Sequence, residues 1–109
     1  MASAVSNLII YQGADFIIDF TVENDNGTDF DLTGYTAACL IKKHYTSSTS
    51  QTVTAAVLSP ATSGRVQLSL TNSQTAAMKS GRFVYDVVIT SGSGIKSRVL
   101  EGSVSVLEG

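Results

Sequence analysis

Gly81-Arg82-Phe83-Val84-Tyr85-Asp86-Val87-Val88-Ile89-Thr90, then Ser91-Gly92-Ser93-Gly94, then residues 95–106, is the stretch whose reading decides the fold. It predicts two long β-strands joined by a tight turn. Phe83, Tyr85, Val87 and Ile89 fall on one face, and Val84, Asp86 and Val88 on the other, because successive side chains of a strand point to opposite sides. In the second strand the even positions Leu100, Val104 and Val106 are apolar, and Gly102 between them marks a bulge or a close backbone approach. Gly92 and Gly94 do not make a phosphate loop, because no helix follows whose N-terminus would hold an anion.

Working outward, residues 8–11 form a first short strand, and residues 15–23 alternate with Phe16, Ile18, Phe20 and Val22 toward one side. Asn24-Asp25-Asn26-Gly27 holds an Asn-Gly pair suited to positive φ at both central positions of a type I′ turn, so it reverses the chain. Residues 35–45 are a third major strand whose apolar positions fall on both parities, the mark of a strand covered on both faces or carrying a bulge. After a Ser- and Thr-rich crossover, residues 51–58 read as a weaker edge strand. Residues 65–71 alternate cleanly, with Val66, Leu68 and Leu70 inward. Near residues 73–79 a single helical turn is expected, capped by Asn72 or Ser73 and ended by Gly81, with Ala76, Ala77 and Met78 plugging one end. The whole is all-β, a single antiparallel β-sandwich of seven to eight strands over residues 1–109, with no βαβ unit.

Length and composition agree. A chain of 109 residues, 43% apolar and 15% charged, buries one core and is too hydrophobic to be disordered. Its apolar runs fall short of the about 20 residues that a membrane helix needs, and residues 1–6 lack the basic start and apolar core of a secretory signal. The reading is therefore synthesis in a cytoplasm. A net charge of −2 favours neither nucleic acid nor an acidic membrane. The distribution is uneven: residues 1–41 carry six acids and no base, residues 42–109 seven bases and three acids. Either the two halves neutralise each other inside one sandwich, or the acidic edge of one copy meets the basic edge of the next.

Catalytic chemistry finds no constellation. Cys39 is the only cysteine and lies in an apolar run, so it reads as a buried thiol. His44 is the only histidine, which with one cysteine cannot build a zinc site unless carboxylates complete it, and no nucleophile with a base is spaced around it. Asp25, Asp29 and Asp31 are weak candidates for a surface calcium site. With Gly27 as the turn glycine, however, an EF-hand frame puts its first and last ligands on Val22 and Thr33. No cofactor is expected. Lys42, Lys43, His44 and Tyr45 form a polar patch at a strand end, and with Val53 and Val57 on the expected edge strand they are the candidate protein-contact residues.

The segments Tyr11-Gln12-Gly13-Ala14-Asp15-Phe16, Phe30-Asp31-Leu32-Thr33-Gly34-Tyr35, Gly64-Arg65-Val66-Gln67-Leu68-Ser69-Leu70-Thr71, Thr75-Ala76-Ala77-Met78, Gly81-Arg82-Phe83-Val84-Tyr85-Asp86-Val87 and Leu100-Glu101-Gly102-Ser103-Val104-Ser105-Val106, taken in order, resemble a family. They are similar to the small immunoglobulin-like β-sandwich domains of tailed-bacteriophage virion proteins, namely the N-terminal domain of siphophage upper baseplate proteins and short virion structural proteins of T4-like cyanophages. The resemblance implies a non-enzymatic virion structural protein, made in the host bacterial cytoplasm. Its role would be that of a multi-copy adaptor at the tail, baseplate or neck. A capsid-surface decoration protein and a carbohydrate-binding module are the alternatives. It implies as partners other virion proteins and copies of this chain in a symmetric assembly, with no nucleic acid and no membrane. Where the baseplate proteins continue past the sandwich, this sequence stops, which points to a free-standing module. The edge strand and residues 1–7 are then the expected points of contact with neighbours.

Overall fold

The computed structural model describes residues 4–24, 26–44 and 50–108. The strands are β1 (Ala4–Val5), β2 (Leu8–Tyr11), β3 (Phe16–Thr21), β4 (Thr36–Lys42), β5 (Gln51–Val57), β6 (Arg65–Leu70), β7 (Gly81–Thr90) and β8 (Lys96–Leu107). A helical turn, α1 (Asn72–Ala76), lies between β6 and β7. One layer holds β1 and β2 one after the other along the same border of β8, then β7, β4 and the first part of β5. The other holds the last part of β5, then β6 and β3. All pairings are antiparallel except those of β1 and β2, which run parallel to β8. This is the arrangement of an immunoglobulin-like β-sandwich.

The β7–β8 hairpin forms as the alternation requires. Tyr85, Val87 and Ile89 are buried on β7, and Leu100, Val104 and Val106 on β8, with Val87 facing Leu100 and Phe83 facing Val104. The register slips between Val87 and Val88, so that Val99 and Leu100 are both buried on one side of the bulge. The facing layer contributes Val66, Leu68 and Leu70, with the half-buried Phe16, Ile18 and Phe20 of β3. Gly102 is a point of close approach, as its position suggests. A Cβ there would stand 2.8 Å from the carbonyl carbon of Ser6 and nearer still to its oxygen.

Several expectations need correction. β5 is not an edge strand: it pairs with β4 through residues 51–53 and with β6 through residues 54–57, passing from one layer to the other at the Val53-Thr54 step. Its small alanines permit that bend, and the weak alternation they cause is what suggested an exposed strand. Within the chain the N-terminal strands pair with β8, and residues 1–3 lie outside the described residues. β4 is buried on one face only, with Cys39 and Ile41 inward, and the bulge lies in β8. Asn26-Gly27 is not the central pair of a type I′ turn: Asn26 does not have positive φ, while Gly27 does, at 85°, and the Gly27 N–H donates to Asn24 O at 2.9 Å.

The cap of α1 is Thr71, one residue before the expected candidates. Its Oγ1 accepts from Gln74 N while Gln74 Oε1 accepts from Thr71 N. Ala76 and Ala77 face solvent. Met78 and the fully buried Thr75 are what close that end of the sandwich.

Candidate interaction surfaces

The crossing from β2 to β3 is fixed onto α1 residue by residue. Gln12 Nε2 donates to Met78 O at 2.7 Å, Gly13 N to Thr75 Oγ1 at 3.1 Å, and Thr75 Oγ1 in turn to Ala14 O at 2.8 Å. Asp15 Oδ1 accepts from Asn72 N at 2.8 Å. This polar clamp sets where β3 begins and holds its border in place.

Asp29 and Asp31 do not come together as a cation site. Asp31 Oδ1 accepts from Thr33 Oγ1 at 2.6 Å and from Thr33 N at 2.9 Å. These bonds, the hydroxyl first, hold its carboxyl below the usual range. Asp29 belongs to the hairpin, bridged to Glu23, and its carbonyl accepts from Asn24 Nδ2. Asp25 lies outside the described residues. Among the described residues no group of three His, Cys, Asp or Glu side chains converges.

The Lys42-Lys43-His44-Tyr45 patch divides. Lys42 is half-buried on the outer face of β4. Lys43 turns to the other side, where Nζ donates to Arg82 O at 3.2 Å and stands 5.0 Å from the centre of the Phe83 ring. His44 is exposed, and Tyr45 lies outside the described residues. Val53 is 3% exposed and Val57 is packed against the core, so neither is offered to a partner. Cys39 is buried as expected. Burial, and after it the Asp86 carboxylate, pushes its thiol up to about 12. Of the rings that would carry a sugar, Tyr85 is buried and Tyr35 stands edge-on against Phe30 at 5.4 Å, while Tyr11 is exposed.

On the outer face of the larger layer, Leu40, Lys42, Val84, Asp86, Arg98 and Glu101 border an open concavity of about 360 Å³. Asp86 and Glu101 are directly opposite each other in the β7–β8 register, and Arg98 bridges them at 3.2 Å to each carboxylate. These ion pairs join residues 86–101 to one another. The acids of residues 15–31 take part in neither, so the charge division read from the sequence is not neutralised by them.

The two layers are joined on one side by β5. On the opposite side, among the described residues, both end in borders with no further strand, β1 and β2 in one layer and β3 in the other. Four large apolar side chains flank this open side: Ile9, Tyr11 and Leu107 on one outer face, and Ile17, 63% exposed, on the other. The sequence held a signal for Ile17, since it falls on the parity opposite Phe16 and Ile18. The Ile9, Tyr11 and Leu107 cluster depends on the parallel β2–β8 pairing, which sets Tyr11 beside Leu107.

No protein-family model and no curated protein matches the chain. Solved structures are similar in fold. The filamin domain of Lin-41 is 16% identical with a TM-score of 0.51, over 93% of this chain and 84% of that one. A structure of ICOS in complex with ICOS-L and an anti ICOS-L VNAR domain is 14% identical with a TM-score of 0.47, over 98% of this chain and 56% of that one. Topology and the filamin-domain match together make the chain an all-β immunoglobulin-like sandwich, and the likeness is one of fold alone.

Proposed function

We propose that this chain is a non-enzymatic structural protein of a bacteriophage virion, a multi-copy adaptor at the tail, baseplate or neck. The observation that carries the reading is the ordered series of segments resembling phage virion sandwiches, each of which is a structural part of this one domain. Residues 11–16 are the β2–β3 crossing clamped to α1, residues 64–71 are β6 with the cap of α1, and residues 100–106 are the part of β8 that receives the N-terminal strands. A surface of free sheet borders and outward apolar side chains suits a protein that works by contact, and many copies in a symmetric particle would multiply weak contacts.

Immunogold labelling of purified particles with antibody against the chain tests this. Label at the tail, baseplate or neck supports the adaptor. Label over the capsid shell replaces it with a decoration protein, and particles without label refute both.

A further inference from the structure

We infer that the free border of β3 is an acceptor for one added strand, supplied by an extended segment of a partner protein with the pattern basic, any, apolar, any, basic. The backbone carries the first part of the argument. Val22 N donates to Gly64 O at 2.7 Å, continuing the β3–β6 register. In an antiparallel ladder, bonding to one neighbour alternates residue by residue. Phe16, Ile18 and Phe20 therefore bond to β6, and the N–H and C=O groups of Ile17, Asp19 and Thr21 point to the free border. Among the described residues no side chain or loop bonds these groups, and the hairpin after β3 folds back on the β6 side, where Phe30 N meets Val22 O. Residues 4–11, which would otherwise cover this border, are committed to β8.

The side chains carry the second part. Natural edge strands are usually blunted by charged side chains, lysine above all, by proline, by a bulge or by extreme shortness. β3 has six residues with no lysine, proline or bulge; its one charge is Asp19, and beside it Ile17 is presented outward. On the same outward parity stand Asp15, Asp19 and Glu23, all exposed, with one oxygen of Asp15 already bonded to Asn72. Arg65, opposite Thr21, directs its guanidinium to Ser63 Oγ and Ser59 O. An incoming antiparallel strand thus meets acid, apolar and acid at positions 15, 17 and 19, and cross-strand pairs of opposite charge are favourable where like charges are not.

That charge pattern selects the occupant. A second copy pairing β3 with β3 would set acidic borders against each other. The chain's own bases are poorly placed to serve: Lys42 and Arg82 lie on β4 and β7, each flanked by a strand on both sides. Residues 96–98 offer a basic stretch half the length of β3, and Arg98 within it is held by Asp86 and Glu101. A basic extended segment of another protein fits best, joining by backbone bonds for affinity and by alternate side chains for specificity. This inference rests on the border itself, so it stands or falls apart from the virion reading.

The probe is a capped peptide of about nine residues, enough to span β3, made of threonine with two lysines four positions apart and an isoleucine midway. Its binding to the full chain is followed by amide hydrogen exchange. Ile17, Asp19 and Thr21 should exchange freely in the unbound protein, and peptide should slow them. Asp19→Lys should weaken binding about tenfold, and replacing the peptide lysines with glutamate should abolish it. Protection appearing instead at Ile9 and Tyr11, equal binding by the variant, or no binding would overturn the inference. So would protection of the same three amides that rises with protein concentration alone, which would make a second copy the occupant.

Discussion

Replacing Gly102 with alanine should detach the N-terminal strands from β8. The added Cβ would lie 2.8 Å from Ser6 C and 3.3 Å from Asn7 Oδ1, whereas carbon atoms rest at about 3.5–4.0 Å. The first obstacle is backbone and cannot swing aside, so the link between β1 and β2 must lift by about 1 Å to restore contact distance. Four hydrogen bonds converge on that link. Ser6 O accepts from the buried Tyr85 Oη at 2.6 Å, Ser6 N donates to Glu101 O at 2.9 Å, and Asn7 Oδ1 accepts from Ser103 N at 3.2 Å and Ser103 Oγ at 3.0 Å. At about 1 kcal/mol each, with the outer ones partly replaced by water, the loss is about 3 kcal/mol. Urea denaturation should show it as a lower midpoint at an unchanged slope, and heating as a Tm lower by roughly 15 °C. Tyr85→Phe, which removes one of the four bonds and adds no atom, should lose about 1–1.5 kcal/mol. A Gly102→Ala protein within about 1 kcal/mol of the parent would refute the reasoning.

Thr75→Val, nearly the same shape, should cost about 1–2 kcal/mol by leaving Ala14 O and Gly13 N without their partner in a part-buried site. Chemical denaturation checks this. The Cys39 thiol should resist Ellman's reagent at pH 8 in the native protein and react only as the chain unfolds, so rapid labelling would contradict its burial. Its native value is raised to about 12 from an ordinary 9.0, so the stability this burial contributes is fully present below pH 9 and is lost as pH rises from 9 toward 12. An alkaline denaturation series on the parent and Cys39→Ala should diverge in that window. Arg98→Ala should cost about 0.5–1 kcal/mol at low salt, because it leaves Asp86 and Glu101 facing each other, and the loss should shrink as salt screens them.

The β7–β8 hairpin and β6 were legible because their alternation is strict and each buries one parity against a single facing layer. The helical turn was legible in place but not in detail. Thr71 looks like the last residue of a strand, and only the reciprocal bond with Gln74 makes it the cap. β5 was misread because a strand that changes layers in mid-course turns its burial pattern with it, and Ala55 and Ala56 leave little contrast to follow. For the same reason Val53 and Val57 do not face outward, since Val53 sits at the bend and Val57 beyond it. The open side could not be read locally. Its exposure follows from where residues 4–11 pair, a choice between two distant partners that no window of sequence decides.

The strand shared between the layers gives the domain the mechanics of a book. β5 is the spine, where backbone bonds run continuously from one cover to the other, while at the fore-edge the described residues join the covers through side chains and the short clamped crossing. Partial opening in such a body starts where the fewest bonds must break at once. The leaves would therefore part at β2 and β3 while the spine stays bound, making the fore-edge the most pliable part of the domain.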